Sequence, residues 1–151
     1  MTKTEFNYVT YIKTTPQKVW DAITNPEFTH QYWSGMNNIS DWKVGSKWEH
    51  VEVAGQTPRI IGEVLECTPP SRLVITWASP SDSADQSRVT FEIETVDDMV
   101  CLNVLHDKLT ADSDMAKGIS RGWPRVLSGL KTFLETGTVL TDWVKYKSCA
   151  A

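Results

Sequence analysis

The feature that most constrains the fold of this chain is an amphipathic segment near its end, residues 118–137. Large apolar residues recur in it at steps of three and four, the period of one buried helix face: Ile119, Trp123, Leu127, Leu130 and Leu134. The chain before residue 110 consists of short stretches typical of strands, so this is the one long helix available to cover a sheet. Gly137 suits a left-handed helix C-cap. The pattern therefore predicts a long final helix that ends at Gly137.

Pro124 lies inside this helical pattern, where proline removes one backbone hydrogen bond and costs about 3 kcal/mol. Two arrangements follow: either the helix starts at about Pro124, or it starts near Asp112 and bends around residues 120–123. Good N-cap residues at 112–114, and a stripe that continues backwards through Met115, favour the long, bent helix.

The rest of the chain predicts strands with two short helices after the first of them. Strands are expected at residues 5–13, around Trp48-His50-Glu52, and at 59–66, 73–77, 88–95 and 100–106, with helices opening at Pro16 and Pro26. Strands segregated from a covering helix indicate an α+β fold with an antiparallel sheet. Residues 79–83 are expected to form an exposed, flexible loop. Residues from about 138 to 151, including Trp143, are expected to form a tail that packs back or helps to form a homodimer.

Length, charge and cysteine spacing exclude several classes of function. A chain of 151 residues predicts one domain spanning 1–151. The net charge of −4, with no run of Lys or Arg, argues against nucleic acid or an anionic membrane as a partner. Cys67, Cys101 and Cys149 lack the spacing of a metal or redox motif, so no metal and no cofactor are expected. With no leader and no membrane-spanning run, the expected location is the cytoplasm.

Taken in order, the short motifs of this chain resemble the START-like, or SRPBCC, superfamily. The residues that carry the resemblance are Ile12, Thr14-Thr15-Pro16, Val19 to Thr24, Pro26-Glu27, Tyr32 to Gly35, Asp41 to Ser46, Gly62 to Glu66, Pro69 to Leu73, Thr76-Trp77, Val89 to Phe91, Leu102, Val104, His106, Gly122-Trp123, Val126-Leu127 and Leu130-Lys131. Within the superfamily the chain is similar to the branch named after the C-terminal domain of the activator of the heat-shock chaperone ATPase. Ser46, in place of a second glycine, and Pro124 depart from the pattern of that branch.

This resemblance implies a helix-grip fold, in which a curved antiparallel sheet of about six or seven strands wraps around the long C-terminal helix. A cavity between sheet and helix is where this class of fold holds ligands. The face assignments predict its lining: Trp48, His50, Trp77, Phe91, Leu102, Val104, His106, Trp123 and Leu127. The same residues are typical of a packed core, and the sequence leaves both interpretations open. Gly118, Gly122 and Gly129 either leave room beside the helix or permit close packing.

Three functions follow from these expectations. The first is a small-molecule binding protein that holds a hydrophobic or aromatic ligand between the sheet and the last helix. The second is an enzyme of the polyketide cyclase or hydratase kind that uses His50 or His106 as acid–base groups. The third is a protein-binding module, for which a chaperone partner is not expected because the N-terminal chaperone-binding domain of the full activator is missing here. The sequence contains neither a nucleophile-elbow motif nor a phosphate-binding loop, so no such motif supports the catalytic function.

Overall fold

The computed structural model describes residues 2–54 and 56–141. Seven strands and three helices follow one another along the chain: β1 (Lys3–Ile12), α1 (Pro16–Thr24), α2 (Pro26–Tyr32), β2 (Met36–Ser40), β3 (Lys47–Glu52), β4 (Pro58–Thr68), β5 (Arg72–Ser79), β6 (Asp82–Val96), β7 (Met99–Thr110) and α3 (Asp114–Thr136).

The strands form one antiparallel sheet in the order β1-β7-β6-β5-β4-β3-β2. Strands β2 to β7 are a meander, and β1 returns from the start of the chain to pair with β7, with Tyr8 opposite Val104. Register shifts between His50 and Val51 in β3 and between Val64 and Glu66 in β4 mark irregularities of the kind that bend strands. The expected α+β helix-grip fold is confirmed: a curved antiparallel sheet with a long C-terminal helix against it.

The two short helices start where the sequence predicts. Thr15 caps α1, since its side chain accepts a hydrogen bond from the Lys18 backbone N–H, and Pro16 occupies the first helical position. Asn25 ends α1 in an extended conformation and caps α2 by accepting from the Glu27 N–H at 3.0 Å.

The last helix runs through Pro124 without interruption. Ser113 is its N-cap, with a side-chain oxygen that accepts from the Ala116 N–H at 3.1 Å. Gly137 is its C-cap and has a left-handed φ of 76°, as the sequence predicts. Of the two arrangements that Pro124 left open, the start at Pro124 is therefore wrong and the long helix is present.

Two segments differ from the expectation. β2 was not predicted, because its sequence, Met-Asn-Asn-Ile-Ser, has two asparagines and no clean alternation; it forms by pairing with β3, Asn38 opposite His50. The expected loop at residues 79–83 is instead a tight turn, in which Ser79 pairs with Asp82 and β6 starts at once. In the tail, Val139 and Leu140 are exposed, and Trp143 lies outside the described residues.

Candidate functional site

The nine residues predicted to line a cavity are all inside the molecule, none of them more than 6% exposed. They separate into two groups. His50, Trp77 and Trp123 line a cleft between the sheet and the first half of α3. The other six do not line this cleft and are buried behind or beside it: Trp48, Phe91, Leu102, Val104, His106 and Leu127.

The cleft has a volume of about 720 Å³. Its sheet side is built from β3, β4 and β5, and its helix side from the first half of α3. The apolar lining residues that sequence reasoning missed come from elements on both sides: Trp33, Ile60, Met115, Ile119 and Val126. Ile119 and Val126 lie on the periodic stripe of the helix and could have been found from it. Trp33 lies at the C-cap of α2, where helical periodicity no longer assigns a face.

Three indole rings meet at the bottom of the cleft. The ring centroid of Trp123 lies 5.4 Å from that of Trp33 and 5.6 Å from that of Trp77. The imidazole of His50 lies 4.9 Å from Trp33 and 6.2 Å from Trp77, so it completes the aromatic surface between them. All four residues are at most 6% exposed, which makes this cluster the floor of the cleft.

His106 lies behind this floor, where it fixes the ring of Trp123. The Trp123 indole N–H donates to His106 Nδ1 at 3.1 Å, and Ser87 Oγ lies 2.7 Å from His106 Nε2. Ser87 donates its single proton to the Trp77 carbonyl at 3.1 Å, so the bond to His106 is one in which Nε2–H donates to Ser87. This order of donors requires a neutral imidazole protonated on Nε2.

Burial supports the same protonation state of His106. It lowers the pKa of the imidazole to about 4, against a smaller opposing effect of Asp107, because the charged form would lose its hydration. Both ring nitrogens are engaged by protein groups. His106 is thus suited to holding Trp123 in place and poorly suited to exchanging protons with a molecule in the cleft.

His50 is oriented by a second hydrogen-bond chain. Its Nδ1 lies 2.6 Å from Asn38 Oδ1, while Asn38 Nδ2 donates to the Ile23 carbonyl at 2.9 Å. Because the amide nitrogen is committed to Ile23, the oxygen must face the ring, and His50 Nδ1–H is the donor. The buried Asn38 of the edge strand β2 therefore sets the orientation of the one histidine that lines the cleft.

The glycines of α3 have opposite surroundings. A Cβ atom added to Gly118 or Gly122 would meet nothing within 4 Å, and both residues line the cleft. A Cβ atom on Gly129 would lie 3.2 Å from the Tyr32 carbonyl oxygen. Of the two roles that the sequence left open, the first two glycines leave room beside the helix and the third permits close packing.

The mouth of the cleft is polar and acidic. It is formed by the β5–β6 turn and the start of α3, and its serines and aspartates are exposed or half-buried: Ser79, Ser81, Asp82, Asp85, Ser113 and Asp114. Within residues 2–54 and 56–141, no cluster of three or more His, Cys, Asp or Glu side chains has the arrangement of a metal site. Among the helices in those ranges, none is long and apolar enough to cross a membrane.

A seven-stranded antiparallel sheet that wraps a long last helix, with a cleft between the two, defines a protein of the START-like class. The chain belongs to the family described as activator of Hsp90 ATPase homolog 1-like protein, whose family model matches residues 13–135. The resemblance inferred from the sequence is confirmed. No curated protein matches the sequence.

Solved structures share the fold at low sequence identity. The Aha1 dimer from Colwellia psychrerythraea is 21% identical, with a TM-score of 0.75 over 89% of this chain and 98% of its own. An HSP90 activator from Plasmodium falciparum is 22% identical, with a TM-score of 0.74 over 86% and 95%. CalU16 from Micromonospora echinospora is 21% identical, with a TM-score of 0.70 over 88% and 77%. At these identities the likeness establishes the fold alone.

Proposed function

We propose that this chain is a small-molecule binding protein that holds an apolar or aromatic ligand in the cleft between the sheet and α3. The observation that carries the proposal is the cleft itself: about 720 Å³, floored by Trp33, Trp77 and Trp123. Ligand sites in proteins usually measure about 300–1,000 Å³ and combine an apolar, aromatic wall with few polar groups. Indole rings suit such a wall because each supplies a large contact area at a low cost in conformational entropy.

The helix side of the cleft supports the same proposal. Glycine in a helix interior is about 1 kcal/mol less favourable than alanine, yet α3 has the half-buried Gly122 on the wall of the cleft, where a larger side chain would fit. A packed core would gain stability from filling that space. A binding protein, in contrast, gains a place for its ligand.

The test is to fill the cleft without damaging the fold. In Gly122→Leu, the new side chain has open space to enter and improves helix propensity, so stability should not fall. Binding of the neutral dye Nile red, followed by its fluorescence, should weaken at least about tenfold, because the leucine occupies the volume next to Trp123. Ser128→Leu places the same side chain on an exposed position of α3 and serves as the control.

Native mass spectrometry of protein purified from its own host is the second measurement. A reproducibly bound small molecule that Gly122→Leu no longer retains would support the proposal. If the protein carries no small molecule and does not bind Nile red, the proposal is refuted. If Gly122→Leu binds Nile red as tightly as the wild type, the dye occupies another site and the assignment of this cleft is wrong.

Contact with an Hsp90 chaperone is the second candidate function, although the sequence did not favour it. It is supported by the family description and by the name of one structural relative as an HSP90 activator. The purified chain should then bind purified Hsp90 and raise its rate of ATP hydrolysis, and the absence of binding together with an unchanged rate would exclude this function. The cytoplasmic location and the homodimer stay predictions. One structural relative is a dimer. Sedimentation velocity measures the oligomeric state of this chain.

A further inference from the structure

The charge at the mouth of the cleft narrows the chemical class of the ligand, on the condition that the proposed binding function is right. Three aspartates lie there, Asp82 and Asp85 at the start of β6 and Asp114 in the first turn of α3. Among the described residues that line the cleft, none is a lysine or an arginine. We propose that the ligand is an amphiphilic cation: an aromatic or apolar body that carries a protonated amine or quaternary ammonium group.

The floor and the mouth match the two parts of such a molecule. The floor presents the rings of Trp33, Trp77 and Trp123, none more than 6% exposed, to the ligand body. Indole faces also attract cations, because the ring quadrupole places negative potential above its plane. Asp82 and Asp114 are exposed at the other end of the cleft, where a charged head group can keep part of its hydration.

The carboxylates of the mouth are only partly neutralised by the protein. Asp85 accepts a hydrogen bond from Thr110 Oγ1 at 2.9 Å and pairs with the ammonium of Lys3 at 3.9 Å, on a side chain that is 53% exposed. An exposed ion pair of this length is weak. Asp114 lies at the N-terminus of α3, where the helix dipole favours the negative charge and offsets part of it.

An anionic ligand of the same shape would meet the opposite conditions. Its carboxylate would approach three aspartates with no basic side chain on the described lining to receive it. A fatty-acid-like or carboxylated ligand is therefore disfavoured at this mouth, and a neutral ligand gains nothing from it.

A matched series of probes tests the ligand class. 2-(2-Naphthyl)ethylamine, which is protonated at neutral pH, 2-(2-naphthyl)ethanol and 2-naphthylacetate share one aromatic body and differ in charge. Isothermal titration calorimetry at low ionic strength should give the tightest binding for the amine, at least about threefold tighter than the alcohol, and the weakest for the acetate. The preference for the amine should shrink as salt is added.

Neutralising the mouth tests where the preference comes from. In the triple variant Asp82→Asn, Asp85→Asn and Asp114→Asn, the amine should lose about threefold to tenfold in affinity while the alcohol stays nearly unchanged. Asp97→Asn removes a charge from the turn beyond the other end of β6, where asparagine tolerates the positive φ, and should change neither affinity.

The outcomes separate this inference from the function on which it rests. If the alcohol binds as tightly as the amine, or the acetate binds more tightly, the ligand class is wrong and the binding function stands. The ligand class is also wrong if the triple variant keeps the full preference for the amine. If none of the three probes binds and Nile red does not bind either, both proposals fail.

Discussion

The two halves of α3 present similar apolar faces but meet different surroundings. The first half, residues 114–126, faces the cleft, and Gly122 has nothing within 4 Å of the position of a Cβ atom. The second half packs against the short helices: the ring centroid of Phe133 lies 6.1 Å from that of Tyr32 and 6.2 Å from that of Phe28, and a Cβ atom on Gly129 would lie 3.2 Å from the Tyr32 carbonyl oxygen. The short helices α1 and α2 cover only one end of the long helix, and this leaves the cleft open at the other end.

Truncation of one buried residue in each half should separate them most clearly. Leu130→Ala, in the packed half, should cost about 4 kcal/mol of unfolding free energy, because Leu130 is 0% exposed and the cavity cannot collapse. Ile119→Ala should cost about 2 kcal/mol, since its side chain already borders open space. Urea unfolding of both variants measures the difference. Equal costs would mean that the two halves are packed alike.

Acid should destabilise the cleft side of the molecule in particular, because His106 becomes protonated there. Its pKa of about 4 in the folded protein lies below the ordinary 6.5, so the unfolded chain binds more protons between these values. The part of the unfolding free energy that depends on neutral His106 is fully present above pH 6.5 and decreases as the pH falls. About 3 kcal/mol of it is lost at pH 4.

Urea unfolding of the wild type and of His106→Gln across this pH range isolates the effect, because the carboxylates common to both cancel in the difference. The stability advantage of the wild type over His106→Gln should shrink steadily below pH 6.5. A constant difference would show that His106 titrates normally and that the Trp123–His106–Ser87 chain does not fix its protonation state.

Alanine at two glycines of α3 should act differently although the substitution is the same. Gly122→Ala should stabilise the protein by about 1 kcal/mol through helix propensity alone, since the new methyl group meets nothing. Gly129→Ala gains the same propensity but presses on the Tyr32 carbonyl at 3.2 Å, so its net change should be smaller or unfavourable. Thermal unfolding of the two variants measures the difference, and an equal gain would show that Tyr32 can move aside.

The smallest expected effect concerns the attachment of the packed half to the end of β1. The Glu135 carboxylate accepts hydrogen bonds from Lys131 Nζ at 2.7 Å and from the Lys13 backbone N–H at 2.8 Å, and these hold its pKa below the ordinary value. Glu135→Gln should cost about 0.5 kcal/mol near neutral pH, because the group is partly exposed. Denaturant unfolding at low and high salt measures the loss; a cost that salt does not reduce would contradict the ionic explanation.

The sequence predicts which face of a strand or helix a residue lies on better than it predicts how far away the opposite surface is. The sequence patterns correctly predict that His50, His106 and Trp123 point inward: the first two from the alternation in β3 and β7, the third from the period of α3. Periodicity, however, states only which face a residue occupies and not how far away the opposite surface lies. Trp48 and Trp77 are both predicted to lie on the inner face and both are buried, yet only Trp77 lines the cleft.

The parts that the sequence could not predict depend on pairing between distant segments. β2 has no strand pattern of its own, yet it supplies Asn38, which orients His50. Trp33 follows the end of α2, and it lines the cleft because α2 packs against β2 and the Trp33 ring lies beside His50. The β5–β6 turn, which composition suggests is a loose loop, supplies Asp82 to the mouth because its residues continue the strand pairing.

The indole rings described above also have an optical consequence. Trp33, Trp123, Trp77 and Trp48 lie in a chain with centroid separations of 5.4, 5.6 and 5.5 Å. At such separations the electronic transitions of neighbouring rings couple and excitation energy passes between them, so these four of the seven tryptophans of the chain do not absorb and emit independently. An exciton couplet in the circular dichroism spectrum would therefore report the integrity of the floor. A molecule that quenches Trp33 alone would dim the buried Trp48, which it never touches.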